Sequence, residues 1–155
     1  MLTPKDSVPE IALNKSHRNF YAIENAVFLM KKCEQYKIHD GAYLRVQYLP
    51  IGKKKTVILD FGFDPEDSTD IWYYKKKPVA IAILDSVRVV FRDSVALGVF
   101  YELSEIHILR KIPLLRKKSE NWTYLLYDDL YVRYVFNTKK KKFKLDYIQD
   151  CEYKR

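Results

Sequence analysis

The chain has 155 residues, of which 48% are apolar and 15% aromatic, and it carries a formal net charge of +8. This length and composition predict one domain with a packed core and exclude a chain that is disordered throughout. Its four scattered glycines exclude the glycine-rich loops that cradle phosphates in P-loop and dinucleotide-binding proteins. The basic charge predicts attraction to polyanions, acidic proteins or anionic membranes.

The N-terminal segment and the cysteines indicate in which cellular compartment the protein is expected. Residues 1–15 contain no apolar stretch of signal-peptide length, and no apolar run is long enough to span a membrane. Cys33 and Cys151 have no companions at metal-ligand spacing, which favours reduced thiols. We therefore expect a cytoplasmic protein without a transmembrane segment.

The first third of the chain predicts one helix. Residues 1–15, with two prolines and scattered charge, predict an irregular lead-in to a single α+β domain over residues 16–155. From Ser16, apolar residues recur at helical spacing and predict an amphipathic helix over 17–37, which ends before Gly41. The residues that carry this spacing are Phe20, Ile23, Val27 and Met30.

Alternating apolar and polar residues predict strands over most of the remainder. The predicted strands are 42–49, 55–63, 71–74, 79–84, 87–91, 105–110, 122–127, 130–136 and 143–148. Asp93-Ser94 is a helix-capping signal, so we also expect a second short helix near 94–104, with a strand over 95–103 as the alternative. The expected fold class is α+β, with the N-terminal amphipathic helix packed on a largely antiparallel meander sheet.

Four basic runs interrupt the predicted strands, and acidic turns lie between them. The basic runs are Lys53-Lys54-Lys55, Lys75-Lys76-Lys77, Arg116-Lys117-Lys118 and Lys139-Lys140-Lys141-Lys142. The acidic segments are 64–70, Asp85 and Asp128-Asp129. In an up-and-down meander every second turn lies at the same end of the sheet. This alternation predicts one basic end and one acidic end, although consecutive hairpins fix the ends only from residue 53 to residue 85.

Lysine loops at one end of a rigid sheet neutralise phosphates without reading base sequence. The 28 basic residues comprise 20 Lys and 8 Arg, and Lys supplies point charge rather than the bidentate contact that Arg makes with base edges. The chain is therefore interpreted as a non-enzymatic binding protein that engages the backbone of RNA or DNA. The predicted polyanion-binding residues are Lys53, Lys54, Lys55, Lys75, Lys76, Lys77, Lys139, Lys140, Lys141 and Lys142. Lysines that only keep the sheet ends soluble are the alternative.

Aromatic residues beside the charged turns form a second candidate surface. Tyr and Trp are common anchors of protein interfaces. The candidate interface residues are Trp72, Tyr73, Tyr74, Trp122 and Tyr131. A Tyr-rich face on the final hairpin would suit an acidic protein partner or a homodimer. The alternative function is therefore an inhibitor or immunity-type protein that blocks its partner through charged loops and this face.

Catalytic, cofactor and metal motifs are lacking in the sequence. The acidic segment 64–70 does not have the spacing of an EF-hand loop. Glu152-Tyr153-Lys154 matches the acid-x-Lys pattern of metal-dependent nucleases only at the chain terminus, where fraying is expected. No nucleophile elbow is found. We therefore expect no enzymatic activity, no cofactor and no bound metal. An enzyme whose catalytic site is assembled only in the folded chain is the third hypothesis.

Overall fold

Eight strands form one mixed sheet in the computed structural model. The structure describes residues 7–32, 42–63, 77–113 and 131–149. The strands lie side by side in the order β6-β1-β4-β5-β2-β3-β7-β8. In chain order the elements are β1 (Ser7–Ile11), α1 (Phe20–Lys32), β2 (Ala42–Ile51), β3 (Lys54–Phe63), β4 (Ala80–Leu84), β5 (Val87–Phe91), α2 (Ser94–Gly98), a 3-10 helix (Leu103–Glu105), β6 (Ile108–Pro113), β7 (Tyr131–Asn137) and β8 (Lys142–Gln149).

This topology shows that the predicted fold class, a helix packed on a largely antiparallel meander, is wrong. The described chain is mostly strand, and two of its strand pairs, β1 with β4 and β2 with β5, are parallel. Residues 7–11, expected in an irregular lead-in, form β1 between β4 and β6. The sequence pattern did not predict β1, because this strand is only five residues long and contains Pro9. Parallel pairing also joins segments that are distant in sequence.

Most individual segments nevertheless agree with their periodicity. The predicted strands 42–49, 55–63, 79–84, 87–91, 130–136 and 143–148 correspond to β2, β3, β4, β5, β7 and β8. The second helix is shorter than expected, and β6 begins at Ile108 rather than near residue 105. The predicted strands 71–74 and 122–127 lie outside the described residues, as does the 33–37 part of the first helix.

Helix α1 covers one face of the sheet, called the helix face below. Six of its residues are buried at helical spacing: Phe20, Ala22, Ile23, Ala26, Val27 and Met30. All of them except Phe20 belong to the same core cluster as Leu44, Val46 and Leu59 of the central strands. The hydroxyl of Tyr21 also donates a hydrogen bond to the carbonyl of Phe143 in β8. The helix therefore joins the middle of the sheet to its far edge.

The opposite face of the sheet holds a second buried cluster and a row of charges. The cluster consists of Val8, Tyr43, Ile81, Val90 and Ile112. Arg45 of β2 and Asp60 of β3 are direct cross-strand partners, joined by hydrogen bonds of 2.7 Å from Nε and 3.0 Å from Nη2. Asp60 is in register with Arg133 of β7, which donates to Asp146 of β8 over 2.7 Å. Positive and negative side chains thus alternate across four strands.

Gly62 of β3 is overlaid by the ring of its cross-strand partner, Tyr43. A Cβ atom added at residue 62 would lie 2.9 Å from two atoms of that ring. Tyr43 is only 5% exposed, so its ring is packed in place rather than free to move into solvent. This close contact explains why β3 carries a glycine, a poor strand former, within its sequence.

We predict that Gly62→Ala lowers the free energy of unfolding by about 1–3 kcal/mol, because the new methyl group must displace a buried ring. Gly98→Ala is the matched control, since nothing lies within 4 Å of its added Cβ and alanine favours a helix. Urea denaturation of the two variants measures both effects. A Gly62→Ala variant as stable as Gly98→Ala would contradict the packing described for Tyr43.

Candidate polyanion-binding site

The strand directions bring two of the basic runs and Lys77 of a third to one end of the sheet, called the basic end below. β2 and β7 both run antiparallel to β3, so the β2–β3 turn and the β7–β8 loop lie at the same end. β5 is parallel to β2 and antiparallel to β4, so β4 begins at this end, directly after Lys77. The β4–β5 turn, Asp85-Ser86, lies at the other end, and both of its residues have positive φ.

The β2–β3 turn has only two residues, Gly52 and Lys53. Gly52 has a φ of 60°, and glycine at the first central position is typical of the tight turns that suit the twist of a hairpin. Lys54 and Lys55 follow as the first residues of β3. The three lysines are exposed. The turn therefore presents three consecutive ammonium groups with little conformational freedom in the backbone that carries them.

The β7–β8 loop is shaped by Asn137. Its Oδ1 accepts the backbone N–H groups of Lys139 over 2.9 Å and Lys140 over 3.0 Å. The N–H of Lys141 donates to the carbonyl of Asn137 over 2.7 Å. Lys141 itself has a φ of 55°, in the left-handed region that glycine or asparagine normally occupies. The loop thus keeps a lysine at a position where its side chain costs stability.

The two lysine loops are neighbours. β3 and β7 pair with Ile58 opposite Val135 and Asp60 opposite Arg133. Thr56 Oγ1 donates to the carbonyl of Phe136 over 2.6 Å, so the contact extends toward the basic end. Continuing the same register brings Lys54 and Lys55 opposite the start of the β7–β8 loop. Adjacent strands are about 4.8 Å apart, so the backbones of the loops lie side by side.

Asn19 anchors the β7–β8 loop from the helix face. Its Nδ2 donates to the carbonyls of Lys141 over 3.3 Å and Val99 over 3.4 Å, and the residue is only 1% exposed. Within the described ranges, nothing donates to its buried Oδ1. The N–H of Asn19 donates to Nδ1 of His17 over 3.0 Å. Burial lowers the pKa of His17 below 6.5, which keeps that nitrogen free to accept.

The charged side chains of the two lysine loops are all positive. Neither loop contains an acidic residue, and all seven of their lysines are exposed. Among the described residues, the ion pairs involve other side chains: Arg45, Arg110 and Arg133. Two ammonium groups about 10 Å apart repel each other by about 0.4 kcal/mol in water, before salt screens them. An anionic ligand would relieve this repulsion. The seven residues are Lys53, Lys54, Lys55, Lys139, Lys140, Lys141 and Lys142.

Of the remaining predicted residues, only Lys77 and Tyr131 lie within the part of the chain that the structure describes. Lys77 is exposed and directly precedes β4 at the basic end. Tyr131 begins β7, opposite Gln149 of β8. The others lie outside the described residues, together with the acidic segments 64–70 and 128–129 and the basic run 116–118; they are Trp72, Tyr73, Tyr74, Lys75, Lys76 and Trp122.

Two exposed aliphatic residues at the basic end were missed by the sequence reasoning. Leu49 and Ile51 of β2 are 38% and 41% exposed, whereas the sequence predicted Leu49 as the end of a strand and Ile51 as part of the following turn. β5 stops at Phe91, opposite Val46, so among the described residues the last five residues of β2 have a strand, β3, on one side only. Only the strand order reveals this exposure.

Comparisons with known proteins identify neither a family nor a relative of this chain. No protein-family model matches the chain, and no curated protein or solved structure is significantly similar to it. Within the described part of the chain, every helix is too short or too polar to cross a membrane.

We predict that Lys141→Gly raises the free energy of unfolding by about 1 kcal/mol, because glycine adopts positive φ without the steric cost that an L side chain incurs. Lys140→Gly removes the same charge at a residue with negative φ and should lower stability instead. Thermal denaturation at matched ionic strength compares the two variants. A change of the same sign in both would show that charge rather than backbone geometry controls the loop.

Proposed function

We propose that the protein is a non-enzymatic binding protein whose basic end engages a polyanion, the sugar-phosphate backbone of nucleic acid. The observation that carries this proposal is the adjacency of the two lysine loops, which gathers seven exposed lysines without an acidic residue between them. A cytoplasmic location, where nucleic acid is accessible, belongs to the same proposal.

The strained backbone of Lys141 supports a role for the charge itself. Solubility alone would be served by lysine at any exposed position of the loop, and glycine at residue 141 would relieve the positive φ of 55°. Unfavourable backbone conformations persist mainly where the surrounding structure maintains them, and they are frequent at binding sites. The hydrogen bonds from Asn19 and to Asn137 maintain this one.

The residue types favour contact with phosphates over recognition of base sequence. Both loops carry lysine and no arginine, so they lack the planar fork that reads base edges in the major groove. Lysine–phosphate contacts release condensed counterions, and each contact adds about 0.9 to the slope of log affinity against log salt on duplex DNA. Binding should therefore be strongly dependent on salt and weakly dependent on sequence.

The direct test compares charge-matched double variants. Lys53→Gln/Lys54→Gln and Lys139→Gln/Lys140→Gln should each weaken binding to a mixed-sequence duplex and reduce the salt slope by up to about 1.8. Lys31→Gln/Lys32→Gln removes the same charge at the end of α1, which begins at the β7–β8 loop and runs away from it over about 20 Å. Fluorescence anisotropy over a series of salt concentrations measures both quantities.

If all three double variants weakened DNA binding equally, the binding would reflect the net charge of the protein rather than a site at the basic end. Unchanged binding in both basic-end variants would refute it. Circular dichroism of each variant establishes that the fold is retained, since all the substituted lysines are exposed and none forms an element of the core.

A protein-binding inhibitor is the second candidate, favoured by the edge strand β8. Within the described sheet β8 pairs only with β7. Three of its large side chains, Leu145, Tyr147 and Ile148, are 41–46% exposed to solvent. The Tyr-rich face expected on this hairpin is reduced by the burial of Tyr134, which is 6% exposed. This function predicts a protein that copurifies at fixed stoichiometry and is lost on Tyr147→Ser, with no effect of that substitution on nucleic-acid binding.

A further inference from the structure

His17 closes the turn that leads into α1. Its carbonyl accepts the N–H of Phe20 over 3.0 Å, and its Nδ1 accepts the N–H of Asn19 over 3.0 Å. Its own N–H donates to the carbonyl of Asn14 over 3.2 Å. The imidazole therefore caps this turn, a role in which Ser, Thr, Asn and Asp are more common. Unlike those side chains, an imidazole loses its acceptor nitrogen by protonation close to neutral pH.

Two contacts connect His17 to the β7–β8 loop. Asn19, whose N–H the imidazole accepts, donates from Nδ2 to the carbonyl of Lys141 over 3.3 Å. The imidazole ring also lies 6.2 Å from the ring of Phe100, which stacks on Phe143 of β8 with 5.2 Å between the ring centroids. Asn19 is buried, so a displacement of its backbone moves its side chain away from the carbonyl of Lys141. The loop is thus held from the start of α1.

We infer that His17 is a positioning residue for the lysine loop: its neutral form holds Asn19 against Lys141, and its protonation releases the loop and weakens polyanion binding. This inference rests on the proposed nucleic-acid-binding function and describes the regulation of its site. An imidazolium carries N–H groups at both ring nitrogens, so its Nδ1 would confront the N–H of Asn19 donor to donor. The positive φ of Lys141, 55°, persists only while the surrounding structure maintains it.

The surroundings of His17 determine the pH at which it charges. Burial is the main cause that lowers the pKa of His17 below 6.5, and the positive charge of Arg18 lowers it further. Glu102 and Glu105, from the segment after α2, act on this pKa in the opposite direction. The β7–β8 loop adds the exposed ammonium group of Lys141. The hydrogen bond is therefore intact at neutral pH, and the stability it contributes is lost as the pH falls below 6.5 toward the lowered pKa of the folded protein.

Two opposing effects decide the direction in which binding changes. An imidazolium about 10 Å from a phosphate raises affinity by less than about twofold at physiological salt. Loss of one hydrogen bond to the loop lowers the population of the ordered loop by about two- to tenfold. Release of the loop is the larger effect, so acidification should weaken binding.

The test compares wild type with His17→Asn, in which an amide oxygen supplies the cap acceptor at every pH. Fluorescence anisotropy with a mixed-sequence DNA duplex at fixed salt measures affinity, and heteronuclear NMR without DNA follows the amides of residues 139–141. Between about pH 7.5 and about pH 5, wild type should lose affinity by about two- to fivefold while these amides shift in parallel. His17→Asn should show neither change. His17→Ser, a second neutral cap, should behave in the same way.

His107→Asn is the matched control, because His107 is exposed and directly precedes β6, at the opposite edge of the sheet from β8. It should keep the pH dependence of wild type. Wild-type loop amides that do not move with pH, or a pH dependence that persists in both His17 variants, would overturn this inference and leave the proposed function standing. Wild-type protein that binds no duplex at any pH would refute both.

Discussion

The ion pair between Arg45 and Asp60 sets the register on which the rest of the sheet depends. Asp60 is 5% exposed, and a carboxylate at that depth is tolerated only with a close, well-oriented partner. A slip of one residue between β2 and β3 would turn Asp60 toward the apolar helix face and Leu59 away from it. The bidentate geometry therefore opposes that slip strongly. Because β5 pairs with β2 and β7 with β3, the register of this hairpin is transmitted to both halves of the sheet.

That register also decides where the lysines lie. With Ile51 opposite Lys54, the turn consists of Gly52 and Lys53 alone, and it lies beside the β7–β8 loop. The charge density of the site is thus produced by strand pairing rather than by a local motif. Mutual repulsion among the lysines and the positive φ of Lys141 both oppose folding, and the buried core on both faces of the sheet offsets them. A bound polyanion would remove the first of these costs.

Sequence reasoning identified the elements better than their arrangement. Leu44, Val46, Leu59 and Phe61 alternate as expected and enter the core beneath α1, because each strand needs only its own pattern to be recognised. The parallel contact between β2 and β5 has no such pattern, since it forms only after the chain has passed through two other strands. β1 was missed because Pro9 and its short length resemble a loop. The lysine runs were visible in the sequence, but the exposure of Leu49 and Ile51 follows from the strand order alone.

The central claim, that the two adjacent lysine loops form the ligand surface, is tested most directly by mapping the backbone amides of the protein during a titration with a short DNA duplex. Heteronuclear NMR at low salt should show the largest shift changes at Gly52 to Lys55 and at residues 138–142, decreasing as salt is added. The amides of Asp85 and Ser86, at the opposite end of the sheet, should remain unchanged. Changes concentrated at that opposite end, or an absence of changes in both lysine loops at saturating duplex, would contradict the claim.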